Sequence, residues 1–206
     1  MLKEMKVLLI SFDVSSLVID ALYKQAVERN ADVACFYFDF AAPEEQSAAA
    51  ILGSVLKQIV GGLGEVPETI VRAFWDQKKI IGGKELALSE IVELLQGISS
   101  SRRTFICIDA LDECRARQRT KLLDSLDEIL QGSPDVRIFL TGRQHIRGEV
   151  REHLGVRAAT RSIISTKGDT ITFLRAKLKE DTMQDEMDES LEEEIIQNIT
   201  TIVPEM

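Results

Sequence analysis

The apolar positions along the chain change period repeatedly. The run "MKVLLISF" (5–12) is continuous and reads as a buried strand, while "DVSSLVIDALYKQAVERN" (13–30) carries Val14, Leu17, Val18, Ala21 and Leu22 at helical spacing behind an Asp or Ser cap. "DVACFYFDF" (32–40) is a β-branched and aromatic strand, and "QSAAAILGSVLKQIV" (46–60) is a helix closed by Gly61-Gly62. Helices follow in "PETIVRAFWDQKK" and "ELALSEIVELLQGI", parted by "IIGGK". Then come a strand in "TFICID", an amphipathic helix in "RQRTKLLDSLDEILQG", a strand in "DVRIFLTGR" and a short helix in "HIRGEVREHL". A weak strand at 157–164 precedes helices from about Asp169 to Lys179 and Met187 to Val203. Strands separated by helices in this order predict parallel pairing through right-handed crossovers, hence a three-layer α/β fold.

Composition changes this picture little. At 206 residues, 45% apolar and 29% charged, the chain can bury one sizeable core. The net charge of −9 is concentrated in "EDTMQDEMDESLEEE" (180–194), which holds nine acidic and no basic side chains, and it argues against a nucleic-acid partner. That stretch reads as a solvated helix face or loop. Cys35, Cys107 and Cys114 lack metal-ligand spacing, and the first two sit in apolar runs, so buried thiols in a reducing compartment are expected. "VLLISF" is too short for a signal-peptide core or a membrane span, so a cytoplasmic protein without membrane association is expected.

The chemistry gathers after "TFICI", where Asp109, Asp112 and Glu113 fall within five residues. Carboxyl ends of parallel strands line one edge of a sheet, where ligands bind. Crowded carboxylates there are costly without a compensating cation, and Mg²⁺ is the usual one. Asp109 would orient the metal's water shell, with Asp112 or Glu113 polarising an attacking water. A solvated turn is the competing account. Thr141 reads as a strand-end hydroxyl, the basic run "RARQRTK" (115–121) as solubilising, and Phe74 with Trp75 as core. His145, Glu149 and His153, at i, i+4 and i+8, read as a solvated helix face. No GxSxG or GxGxxG pattern is present, which sets aside a hydrolase or reductase.

"FICIDALDEC" resembles the Walker B segment of NACHT-domain STAND NTPases of the nephrocystin-like N-terminal type, often found before ankyrin or similar repeats. "SSLVIDAL" resembles the helix after that family's phosphate loop, "ACFYFDF" its next strand, "VRIFLTGR" its sensor strand and "ISTKGDTITFLRAKL" its exit from the core. The match runs from about Val14 onward. It implies a P-loop NTPase-like parallel sheet, ATP with Mg²⁺ as cofactors, Asp109 as the metal residue, Asp112 and Glu113 as catalytic residues, and Arg143 facing the γ-phosphate; for Arg143 alone, a surface or helix-capping role competes. It also implies one truncated core, with an α/β part over about 13–165 and the helical start of a following segment over 166–206. The family's loop is G-x-x-x-x-G-K-[ST], whose backbone N–H groups cradle phosphates while lysine reaches the β/γ oxygens. Counting back from "SSLVIDAL" places its lysine and threonine at Ser11 and Phe12, and no glycine precedes them; Gly83-Lys84 is followed by Glu85 and reads as a loop. The expectation is therefore a core with weak or no ATP binding, acting through protein contacts such as self-association or pairing with intact relatives. The alternative is a Mg-ATP-dependent signalling switch.

Overall fold

The computed structural model describes residues 7–11, 15–39, 46–79, 86–162, 167–180 and 189–202. "IIGGK", with Gly83-Lys84, and much of the acidic run at 180–194 lie outside the described residues. The chain divides into two compact units, Met1–Ser162 and Ile163–Met206.

The first unit holds five parallel strands: β1 (Val7–Ser11), β2 (Asp32–Tyr37), β3 (Thr104–Asp109), β4 (Val136–Thr141) and β5 (Ala158–Ser162), in spatial order β2-β3-β4-β1-β5. Between them run α1 (Ser15–Arg29), α2 (Ala48–Gly61), α3 (Glu68–Lys79), α4 (Leu88–Ser99), α5 (Ala116–Gly132) and α6 (Arg147–Leu154). The three-layer α/β architecture expected from the alternation is the one observed. The weak strand at 157–164 forms β5, and "MKVLLISF" supplies β1.

The strands' near-continuous apolar character follows from burial on both faces. Ala34, Ile106, Ile108, Ile138 and Leu140 point to one side, where α2, α4, α5 and α6 contribute Ile51, Leu52, Leu95, Leu122, Leu126 and Leu154 to the main core. Cys35, Cys107 and Phe139 point to the other, where Ile19 of α1 covers them with Val18 and Leu22. The asymmetry matches the topology. α1 carries the chain from central β1 to edge strand β2, opposite to the direction of the later crossovers, so right-handed connection places it on the opposite face.

Local chemistry sets the helix ends. The Ser47 hydroxyl accepts the Ala50 N–H at 3.1 Å to start α2, and the Glu90 carboxylate accepts the Ala87 N–H at 2.7 Å to start α4. Gly155 ends α6 with φ +58°, a conformation glycine adopts without strain. The exposed edge of β2 is covered by Gln58 of α2, whose amide nitrogen donates to the Cys35 carbonyl at 2.8 Å and whose oxygen accepts the Cys35 N–H at 2.9 Å. That side chain imitates a neighbouring strand and blunts an edge open to mispairing.

Two sequence expectations fail in this unit. Phe74 and Trp75 are 51% and 56% exposed rather than core, because the inward stripe of α3 is supplied by Ile70. The Lys78 ammonium stands 4.8 Å from the Phe74 ring centroid, covering part of it. The face containing Glu149 and His153 is not simply solvated either. Glu149 accepts from Arg119 Nε at 2.8 Å and His153 Nδ1 lies 2.7 Å from Asp124, since α6 packs along α5 and turns these side chains toward it.

The second unit contains α7 (Lys167–Glu180) and α8 (Glu189–Ile202), with Arg175 Nε 4.0 Å from the Glu192 carboxylate and Ile196 buried. Among the described residues, no helix is long and apolar enough to cross a membrane.

Candidate functional site at the carboxyl edge of the sheet

The chain leaves β1 in one direction through α1 and leaves β4 in the other through α6. Such a reversal between adjacent strands opens a crevice at their carboxyl ends, where an α/β sheet binds its ligand. The residues bordering it come from the ends of β1, β3 and β4.

Asp109 is the last residue of β3 and extends from the same sheet face as Cys107. Thr141 ends β4 beside it: its hydroxyl donates to Asp109 Oδ1 at 2.5 Å and accepts the Ala110 N–H at 2.9 Å. Ala110 has φ +55°, a left-handed conformation costly for a residue with a Cβ, so the chain turns sharply immediately after Asp109. Thr141 meets the expectation of a strand-end hydroxyl and ties the turn to the neighbouring strand. Tyr37, at the end of β2, is the register partner of Asp109. Burial raises its hydroxyl pKa, with Cys35 and Asp109 adding to the effect, so the phenol stays neutral.

Asp112 and Glu113 lie in a short 3-10 turn (Leu111–Glu113) anchored by fully buried Leu111. The two have different surroundings. Asp112, its side chain 7% exposed, accepts the Arg143 N–H at 3.2 Å on Oδ1 and holds Arg143 Nε at 3.3 Å on Oδ2. Glu113 is half-buried, and among the described residues no side-chain partner is seen for it. Arg143 is 65% exposed and directed onto Asp112. Gly142 lets these loops meet, since a Cβ there would stand 2.6 Å from Ile146 Cδ1 and 3.3 Å from Asp112 Oδ1.

Arg119 supports the turn from behind, a role that the reading of 115–121 as a solubilising run misses. Its side chain is only 12% exposed; Nη1 donates to the Cys114 carbonyl at 2.8 Å, while Nε pairs with Glu149 at 2.8 Å. Burial pushes the Cys114 thiol up to about 11, opposed by Arg119. The i, i+4 pattern of the next helix could have hinted at Arg119 only through Glu149, whose partner lies 30 residues away.

The sequence-predicted residues thus share one edge, but as two tied pairs, Asp109–Thr141 and Asp112–Arg143, rather than one carboxylate cluster. Among the described residues, no three His, Cys, Asp or Glu side chains are placed to hold a metal ion. Asp109 accepts the Thr141 proton, Asp112 is neutralised by Arg143, and Phe12 stands where the resemblance puts the metal-ligating hydroxyl. Mg²⁺ usually takes one or two carboxylates and completes its octahedral array with water and phosphate oxygens, so Asp109 is the residue that would orient such an ion's water shell.

The family model described as "Nephrocystin 3, N-terminal" matches residues 13–143. A search of curated proteins finds none of similar sequence. Solved structures share the fold. A chain of the Drosophila ORC bound to DNA superposes with a TM-score of 0.55 at 14% identity over 94% of this chain and 46% of that one. Cdc6p from Pyrobaculum aerophilum gives 0.50 at 14% over 83% and 42%. The Walker-type ATPase of Pyrococcus abyssi gives 0.47 at 15% over 92% and 58%. The chain spans about half the length of these structures. The P-loop NTPase-like fold class expected from the sequence is the one found. The exclusion of nucleic acid is overturned, because a chain of this fold stands in a complex described as bound to DNA. Net charge misled because it sums over the whole chain, whereas the acidic excess sits in residues 180–194.

Proposed function

Because the chain belongs to the nephrocystin 3 N-terminal family, we propose that it is a NACHT/STAND-type nucleotide-binding core whose phosphate site is lost, acting through its contacts rather than through ATP turnover. One observation carries this reading: the eight positions to which counting back from "SSLVIDAL" assigns the phosphate loop, 5–12, hold "MKVLLISF", and Val7–Ser11 of that window form β1. The same residues cannot be both an extended strand bonded to β4 and β5 and an anion-cradling loop. Only Phe12, Asp13 and Val14 then separate β1 from α1, and none is glycine or lysine.

The energetic consequence is large. Hydrogen bonds to a charged group contribute about 1.5–3 kcal/mol each, and a phosphate cradle with its lysine supplies several. Losing two or three weakens binding by roughly a hundredfold or more, at about 1.4 kcal/mol per decade. The test is equilibrium titration of the 206-residue chain with a fluorescent ATP analogue, with and without Mg²⁺. Binding absent up to millimolar concentration supports the reading; Mg²⁺-dependent micromolar binding overturns it.

The second reading, a Mg-ATP-dependent switch, is favoured by one arrangement. Asp109 as a Walker B carboxylate and Arg143 as a sensor arginine would both border the crevice between β1 and β4. It requires the Asp112–Arg143 pair to open so that the arginine could meet a phosphate.

A further inference from the structure

Away from the carboxyl edge, two of the three cysteines lie side by side. Cys35 of edge strand β2 and Cys107 of β3 are register partners. Their side chains share the small cluster under α1 with Ile19 and Phe139. Adjacent strands run about 4.8 Å apart, inside the 4.4–6.8 Å Cα separation of disulfide-bonded cysteines. Both residues are free thiols.

The two thiols are not equivalent. Cys107 is fully buried in the middle of the sheet, whereas Cys35 is 9% exposed on the outermost strand, its sulfur 3.9 Å from the hydroxyl of Tyr23. The neighbouring Cys107 thiol lowers the Cys35 pKa; burial opposes this and the Tyr23 hydroxyl assists it. Contact with Cys35 and burial together raise the Cys107 thiol, and burial pushes Tyr23 up to about 12 so that it keeps its proton. The sulfur on the edge strand is thus the better thiolate, and the one on β3 is held as its protonated neighbour.

We propose that Cys35 and Cys107 form an oxidation site, a dithiol that a hydroperoxide converts into a disulfide joining edge strand β2 to β3 beneath α1. The Cys35 thiolate attacks a peroxide oxygen and the O–O bond breaks. This leaves Cys35 as a sulfenic acid and releases hydroxide, which takes up the proton lost from Cys35. The Cys107 sulfur then attacks the Cys35 sulfur; the S–O bond breaks, and water leaves with the Cys107 proton. Two thiols lose two electrons and two hydrogens, and one hydrogen peroxide becomes two waters. Drawing the Cβ atoms from strand spacing to the roughly 3.8 Å of a disulfide strains the bridge, which makes it readily reduced. Cys114 stays outside this chemistry because it packs in the main core, on the other side of the sheet from Cys35 and Cys107.

The experiment treats the 206-residue chain with hydrogen peroxide, then counts thiols after unfolding and maps the bridge in a digest cut at Leu111, which separates Cys107 from Cys114. The expected result is a fall from three free thiols to one, a Cys35–Cys107 peptide pair, and return to three with dithiothreitol. Three thiols persisting, a bridge that includes Cys114 or a second chain, or sulfinic acid at Cys35 in place of the bridge overturns the proposal. The Cys114→Ser variant should form the same bridge, and failure there counts equally against it. In Cys107→Ser, dimedone should label Cys35 alone, whereas label elsewhere or none rejects Cys35 as the attacking thiol.

Discussion

The carboxyl edge of this sheet is built in two ways. At β3 and β4, side chains fasten one loop to the next: Thr141 to Asp109 and Ala110, Asp112 to Arg143, and Arg119 to the turn behind them. At β1, the strand is fixed by its backbone ladders to β4 and β5, and the sequence then passes through Phe12-Asp13-Val14 to α1. The difference separates what holds a fold from what makes a site. Ladder hydrogen bonds use groups that almost every residue carries, so any apolar, β-forming run can fill a central slot. A phosphate site needs glycine where the backbone approaches an anion and lysine where charge is required. "MKVLLISF" meets the first demand and none of the second.

Stability measurements on the tied side sharpen this contrast. The largest loss is expected for Arg119→Ala. Its guanidinium is mostly buried, and removal strands the Glu149 carboxylate and the Cys114 carbonyl, a cost of about 3 kcal/mol. Urea unfolding checks it, and a loss under about 1 kcal/mol would reduce Arg119 to an ordinary surface residue. Asp112→Ala should cost less, about 2 kcal/mol, because it removes a charged acceptor from the Arg143 N–H but leaves the arginine side chain free to enter water. The same variant separates the two functional readings: if Arg143 is merely sequestered by Asp112, releasing it should raise affinity for ATP, whereas without a phosphate loop nothing changes. Thr141→Val keeps the shape of a buried side chain and deletes one hydroxyl. With the Ala110 N–H left without an acceptor, about 1 kcal/mol is expected, measured by the same unfolding assay.

These ties differ in how far they could be read from the sequence. The strand–helix alternation, the strand ends and the gathering of Asp109, Asp112 and Glu113 follow from periodicity and from the rule that parallel strands present one common edge, whereas Arg143 was pointed to by the family resemblance. Arg119 and Glu149 were hidden because pairing across α5 and α6 leaves no local signature; each looks like a charged residue on an exposed turn. Phe74 and Trp75 misled for the opposite reason. Aromatic character marks a residue that can be buried, but α3 needed only Ile70 to reach the core. The separation of Asp112 from Asp109 was also out of reach, since neighbouring carboxylates diverge only because Ala110 takes a left-handed turn between them.

The smallest expected effect bears most directly on function. Asp109→Asn keeps an oxygen to accept the Thr141 hydroxyl and removes the charge through which a carboxylate would orient a magnesium water shell. In a working Mg-nucleotide site the loss of that charge lowers Mg²⁺-dependent affinity by tenfold or more, about 1.4 kcal/mol. If the phosphate loop is lost as proposed, and with no three metal-ligating side chains placed together among the described residues, the affinity of wild type and variant for a fluorescent ATP analogue should agree within about twofold, a difference of about 0.4 kcal/mol. The comparison is internal, so residual non-specific binding of the dye cancels between the two proteins. A tenfold drop confined to the Mg²⁺-containing titration would mean that the β3 end of the crevice holds a metal-nucleotide without a phosphate loop. The proposed loss of the phosphate loop would then have cost far less affinity than the hydrogen-bond arithmetic requires.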